Sequence, residues 1–139
     1  MEVSDVRKRV LQTIERAKRQ AADRQSRSDE ASRAFTTLLD TRAVPMFRQV
    51  ANILRVENYL FAVFTPPASV RLMSDRAAED YIEISLDTSG DIPQVMGHTS
   101  RRRGNRVIDA ERPIGDPATL TESDILEFLL KELEAFVDR

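Results

Sequence analysis

The sharpest chemical feature of the chain is a cluster of four arginines, Arg101, Arg102, Arg103 and Arg106. Guanidinium groups this close together, beside the turn residue Gly104, are suited to bind a phosphate or carboxylate through paired hydrogen bonds. On nucleic acid they would contact the backbone, which gives affinity but little sequence specificity. The alternative is an exposed hairpin tip whose charges prevent edge-to-edge aggregation and pair with Asp109 and Glu111. We favour this second interpretation.

His98 is the single histidine of the chain and lies just before the arginines. A histidine here is a candidate general base, and we group it with the four arginines as an anion- or partner-binding set. A hydrogen-bonded histidine on a strand surface is the commoner case. With one histidine and no cysteine, a zinc site would need carboxylates for all its other ligands, so we expect no metal site. Neither a nucleophile elbow nor a glycine-rich phosphate loop is present, so we expect no catalytic residues and no cofactor.

Composition and charge narrow the class of protein. The 139 residues include no cysteine, which suits a reducing compartment. No window approaches 18 consecutive apolar residues and no signal peptide is recognisable, so we expect a cytoplasmic protein without a membrane partner. The net charge of −2 is unevenly divided: residues 1–55 hold 12 Lys/Arg and 7 Asp/Glu, while residues 56–139 hold 9 and 16. A basic N-terminal part therefore precedes an acidic remainder.

A long helical arm is predicted at the N-terminus, because residues 3–39 contain neither glycine nor proline. Small or apolar residues recur there about every 3.5 positions, the period of a coiled-coil seam. The seam residues proposed for oligomerisation are Val3, Val6, Val10, Ile14, Ala17 and Ala21. Because residues 23–33 are almost entirely polar, two interpretations stay open: one helix of about 55 Å, or a break near residues 25–29 into two antiparallel helices. In either case the arm needs a partner, and the simplest is a second copy of itself.

The boundary of this arm is placed at residue 44. Residues 40–44 are predicted to form a loop, and Pro45 is suited to the first position of a short new helix that ends near residue 58. The sequence thus predicts two parts, a helical arm over 1–44 and an α+β domain over 45–139.

The second part alternates short apolar segments with turn residues. Strands are predicted over residues 59–65, 70–73, 81–87, 94–100 and 106–111, the last two joined by a hairpin loop of about four residues. Within 81–87 the side chains alternate, so Ile82, Ile84 and Leu86 should point to one face and the other four to the opposite face. Thr121 and Asp124 form a capping-box pattern before an apolar helix that should cover the sheet. The fold class predicted is therefore α+β: an antiparallel four- to five-stranded meander covered by a C-terminal helix and preceded by a long helical arm.

Function is predicted by class only. The leading hypothesis is a non-enzymatic interaction or scaffold protein that forms a homodimer through its arm. The alternative is a nucleic-acid or phosphate-binding module that uses the arginine-rich hairpin tip. Another protein is a further candidate partner, while nucleic acid is less favoured because the second part of the chain is acidic.

Overall fold

A computed structural model describes residues 1–137 and confirms the α+β class. Three helices and a five-stranded antiparallel sheet make up the fold. Their bounds are α1 Val3–Leu38, α2 Val44–Val56, β1 Phe61–Phe64, β2 Ser69–Ser74, β3 Tyr81–Asp87, β4 Gln94–Arg103, β5 Arg106–Gly115 and α3 Glu122–Val137. The short segment Leu39–Ala43 between α1 and α2 is a π-helix.

The N-terminal arm is one uninterrupted helix, so the interpretation with a break near residues 25–29 is wrong. Within that polar stretch the Gln25 amide donates a hydrogen bond of 3.0 Å to the Asp29 carboxylate, one helical turn further on. The last third of α1 packs into the core, where Phe35 and Leu38 are buried. Burial of this end stabilises the whole helix, which its polar sequence alone would leave marginal in water.

The loop expected at residues 40–44 is also wrong, because the helix continues through it as a π turn. There the Val44 amide donates to the Leu39 carbonyl, five residues back. Pro45 explains the wider turn: it has no amide hydrogen, and its ring would clash with the Thr41 carbonyl in a regular α-helix. The buried residues Leu39, Ala43 and Phe47 hold the segment helical, since they keep one face of the rod against the sheet. The division of the chain into domains at residue 44 stays a prediction.

The sheet is a simple meander in the order β1-β2-β3-β4-β5, with every neighbouring pair antiparallel. In β3 the predicted alternation is present: Ile82 and Ile84 are fully buried, while Tyr81 and Glu83 are on the other face. All three helices cover the face that carries the isoleucines, and together they enclose the core. No helix covers the opposite face in residues 1–137, so we call it the open face.

Helix α3 begins at the capping box that the sequence predicts. The Thr121 hydroxyl accepts a hydrogen bond from the Asp124 amide at 3.2 Å, and the Asp124 carboxylate accepts one from the Thr121 amide at 2.9 Å. The helix then crosses the sheet from β4 to β1. Phe128 lies over Gly97, and Phe136 meets the edge of the Phe61 ring with 6.0 Å between centroids.

Candidate functional site

The β4–β5 hairpin extends past the end of the rest of the sheet. Tyr81, the first residue of β3, pairs with Ser100, so the three β4 residues after Ser100 have no neighbour in β3. Asp80 takes the place of that missing strand: its carboxylate, almost completely buried, accepts a hydrogen bond of 2.7 Å from the Arg102 amide. The hairpin is thus anchored at its base and free beyond it.

The turn of this hairpin is shorter than the sequence predicted. Arg103 and Arg106 pair directly, which leaves Gly104 and Asn105 as a two-residue loop. Gly104 has a φ of 60°, as the first central residue of a type II′ turn requires. Three of the arginines therefore lie in β4 and not in a loop, and strand geometry decides where their side chains point.

Strand alternation divides the predicted anion-binding set between the two faces of the sheet. Arg101, Arg103 and Arg106 project on the side of the helices, as Gly97 beneath Phe128 does on the same strand. We call these three side chains the arginine face. Arg102 and His98 project on the open face. The structure therefore brings together three of the five residues and places the other two across the sheet.

The acidic partners expected for the arginines are on the wrong face to neutralise the arginine face. Glu111 pairs with His98 and Asp109 with Ser100, so both carboxylates lie on the open face. The open-face residue Arg102 does have an acidic neighbour, with 3.9 Å between its guanidinium and the Glu79 carboxylate. Within residues 1–137, no side chain of the arginine face has an acidic group within 4.0 Å.

The open face carries a connected polar network that the sequence alone does not predict. Arg71 pairs with Glu83 at 2.6 Å and lies 4.0 Å above the centre of the Tyr81 ring. Tyr81 in turn meets the His98 ring edge to face at 5.4 Å, and His98 Nε2 is 3.5 Å from the Asp109 carboxylate. The sequence predicts the alternation within β3. It does not predict the register that brings side chains of four strands together. Because each member contacts another, the network is suited to hold the strands together.

The pKa of the Tyr81 phenol is shifted by its surroundings in this network. Partial burial raises the pKa of its phenol above the ordinary value of 10.0, the Arg71 guanidinium opposes that effect, and the carboxylates of Glu83 and Asp109 add to it. A side-chain hydrogen bond with Ser100 lowers the pKa slightly. The phenol is therefore neutral at physiological pH.

The raised pKa of Tyr81 predicts a specific loss of stability at high pH. The folded protein keeps the phenol proton where the unfolded chain, with a pKa of about 10, has lost it. This contribution is complete below pH 10 and disappears as the pH rises through the folded pKa. As the pH rises above about 10, we expect the urea midpoint of the wild type to fall more steeply than that of Tyr81→Phe. Parallel pH curves for the two proteins would contradict the prediction.

The free part of α1 is the third surface of interest, because every residue from 1 to 27 is exposed. Its apolar side chains are open to solvent to an unusual degree: Val3 is 83%, Val10 51% and Ile14 44% exposed. Leu11, which is not among the predicted seam residues, is 49% exposed and flanks the same stripe. Its position three residues before Ile14 was the signal that would have included it.

Further down the arm, contact with the rest of the molecule begins. Gln20, Arg24 and Arg27 line a cleft against Asp91 of the β3–β4 loop. The stretch of the arm before Gln20 is therefore the part with an entirely open surface.

In residues 1–137 no three His, Asp or Glu side chains converge to hold a metal ion. No helix in the same range is long and apolar enough to cross a bilayer. No family model matches the chain, and neither a curated protein nor a solved structure shows significant similarity to it.

Proposed function

We propose that the protein is a non-enzymatic scaffold that self-associates through the free part of α1. The observation that carries the proposal is a stripe of valine, leucine and isoleucine side chains on α1 before Gln20, each 43–83% exposed. Exposed apolar stripes of this kind mark interaction sites, because contact with a partner removes them from water. We place the protein in the cytoplasm, where its lack of cysteine is suitable.

A second copy of the arm is the partner that the spacing favours. The stripe recurs about every 3.5 residues, the period that keeps a seam facing another helix. A helix that is otherwise polar gains little from lying alone in water. An identical arm offers the same narrow seam of Val10, Ile14, Ala17 and Ala21, so the two stripes match in length and width.

Antiparallel pairing is the orientation that the charged seam positions favour. A strict heptad through Val10, Ile14, Ala17 and Ala21 also places Arg7 and Arg24 in the seam, with Val6 beside it. In a parallel pair each arginine would face its own copy across the interface, a costly contact of like charges. In an antiparallel pair whose two-fold axis crosses the helices at the level of Gln12, Arg7 faces the small side chain of Ala17. Val10 then faces Ile14.

In the same register Val6 lies level with Lys18 of the other copy, beside the seam. Val3 faces Ala21 of the other copy, Leu11 approaches its own copy near the two-fold axis, and Arg24 lies beyond the paired region. The basic N-terminal half of one arm also lies further from that of the other than it would in a parallel pair. The two sheets are then held at opposite ends of the assembly.

Sedimentation equilibrium at micromolar concentration tests self-association. We expect a dimer for the wild type and a weakening of at least about tenfold for Ile14→Glu, because burying a charge without a partner opposes assembly. Gln12→Glu is the matched control: it introduces the same charge two residues away, on the outer side of the helix, and should leave the dimer intact. A wild-type protein that stays monomeric at micromolar concentration would contradict the proposal.

Disulfide trapping tests the orientation of the two arms. Because the chain has no cysteine of its own, any disulfide must form between the introduced residues. A cysteine pair closes only when the two Cα atoms are within about 7 Å. An antiparallel dimer predicts that Val3→Cys mixed with Ala21→Cys gives a crossed disulfide, while each variant alone gives little. Efficient homodimer crosslinks from each variant alone would instead establish parallel pairing.

A further inference from the structure

We infer that the arginine face, Arg101, Arg103 and Arg106, is a binding site for consecutive phosphate groups, as found in a nucleic-acid backbone or an inorganic polyphosphate chain. The inference concerns the hairpin and does not depend on how the arm assembles. Three observations support it: the packing of like charges, the lack of local neutralisation, and the projection of the hairpin.

The strand register fixes how close the three like-charged side chains lie to one another. Arg103 is directly opposite Arg106, so their Cβ atoms are about 4.5–5.5 Å apart. Arg101 is two residues from Arg103 on the same face, about 6.8 Å along the strand. Like charges directly opposite one another destabilise a strand pair. The fold therefore carries a repulsion that it does not need, and an anionic ligand would remove it.

If the arginines served only as an exposed hairpin tip, acidic side chains nearby would be expected to neutralise them. The strand register places the two expected partners on the other face of the sheet. Asp109 and Glu111, the nearest acidic residues in the sequence, project on the open face with His98. By contrast, Arg112 shares the helix side with the arginine face but is paired with Glu132 at 3.1 Å. Arg112 is thus matched with a carboxylate, and the three side chains of the arginine face are not.

Projection gives the arginine face access to an extended ligand. The residues after Ser100 have no strand beside them except β5, so this part of the hairpin extends past the other three strands and is open to a ligand. Guanidinium groups match phosphate oxygens with two parallel hydrogen bonds each. Three of them spread over two strands suit several phosphates in a row better than a single one. The arginine face includes no aromatic side chain, so base stacking is not part of the mode of binding.

The site makes a quantitative prediction about salt. If three phosphates of a DNA duplex are neutralised, the logarithm of the binding constant should fall with the logarithm of salt concentration with a slope of about −2.7. Fluorescence anisotropy with a labelled duplex oligonucleotide measures this slope. Inorganic polyphosphate added as a competitor distinguishes the two sources of the ligand. Displacement of the duplex by polyphosphate at matched phosphate concentration indicates polyphosphate as the better ligand, and persistence of the duplex indicates nucleic acid.

The decisive comparison is between the two faces of one hairpin. The triple variant Arg101→Ser, Arg103→Ser, Arg106→Ser should lose at least about tenfold in affinity for both probes. Arg102→Ser removes one guanidinium from the same hairpin but from the open face, and should stay within about twofold of the wild type. The triple variant relieves repulsion, so its thermal unfolding midpoint should equal or exceed that of the wild type and binding can be compared between folded proteins. Wild-type affinity in the triple variant, an equal loss in Arg102→Ser, or a slope near zero would each overturn the inference.

Discussion

Replacing Phe35 with alanine should destabilise the protein by about 3–5 kcal/mol, the usual cost of removing a large aromatic side chain from a well-packed core. Phe35 is only 2% exposed and packs in the same cluster as Phe47 of α2. A domain of this size is stable by about 5–15 kcal/mol in total. The variant should therefore be close to unfolding at physiological temperature. Urea unfolding followed by circular dichroism, at one fixed protein concentration, measures the change.

Leu130→Ala is the matched control for Phe35→Ala. It also truncates an apolar side chain in a helix, but Leu130 is 55% exposed on the outer side of α3. Its effect should stay within about 0.5 kcal/mol. If Phe35→Ala cost less than about 1 kcal/mol, the end of α1 would not belong to the core, and the arm would be a separable extension.

Gly97→Ala should destabilise the protein by about 1–3 kcal/mol, the range for overpacking a core. A Cβ atom at this position would lie 2.5 Å from Cζ of Phe128 and closer still to Cε1. The Phe128 ring has little room to retreat, since it is 3% exposed and the Arg112 guanidinium lies 5.1 Å from its centre. Elsewhere in a strand alanine is usually better than glycine, so a loss here is attributable to the clash. The urea midpoint reports it.

Two companion variants separate the clash from a general effect of losing glycine. Gly90→Ala, in the β3–β4 loop, introduces a Cβ atom with nothing within 4 Å and should be close to neutral. Combining Gly97→Ala with Phe128→Leu should cost less than the sum of the two single changes, because the smaller side chain leaves room for the methyl group. Simple additivity would mean that the two positions are not in contact.

Local signals in the sequence were sufficient for most of the secondary structure. The alternation from Tyr81 to Asp87 predicted both the strand and its buried face, because a period of two depends on neighbouring residues alone. The same holds for the start of α3, where Thr121 and Asp124 satisfy each other's amides. The glycine-free and proline-free arm predicted a helix. These features are decided within a few residues and so can be predicted without the fold.

The helix through Leu39–Ala43 was not predicted, because two influences compete there. Pro45 normally begins a helix, and locally that is the better prediction. Burial of Leu39 and Ala43 against the sheet outweighs this preference. The chain therefore stays helical from α1 into α2, with one widened turn between them. The polar stretch of α1 was ambiguous for the same reason: only the packing of Phe35 and Leu38 decides that the helix does not fold back.

The arginine cluster shows most clearly what the sequence determined and what only the tertiary structure decided. The sequence alone places four guanidinium groups within six residues, which makes them candidates for binding an anion. Their sorting into Arg101, Arg103 and Arg106 on one face and Arg102 on the other depends on the length of the turn. A loop of four residues would have left the orientation of the arginines undefined, whereas a loop of two extends the strand and makes it alternate. The position of Asp109 and Glu111 across the sheet follows from the same register, because one residue of slip would move every side chain of β5 to the other face.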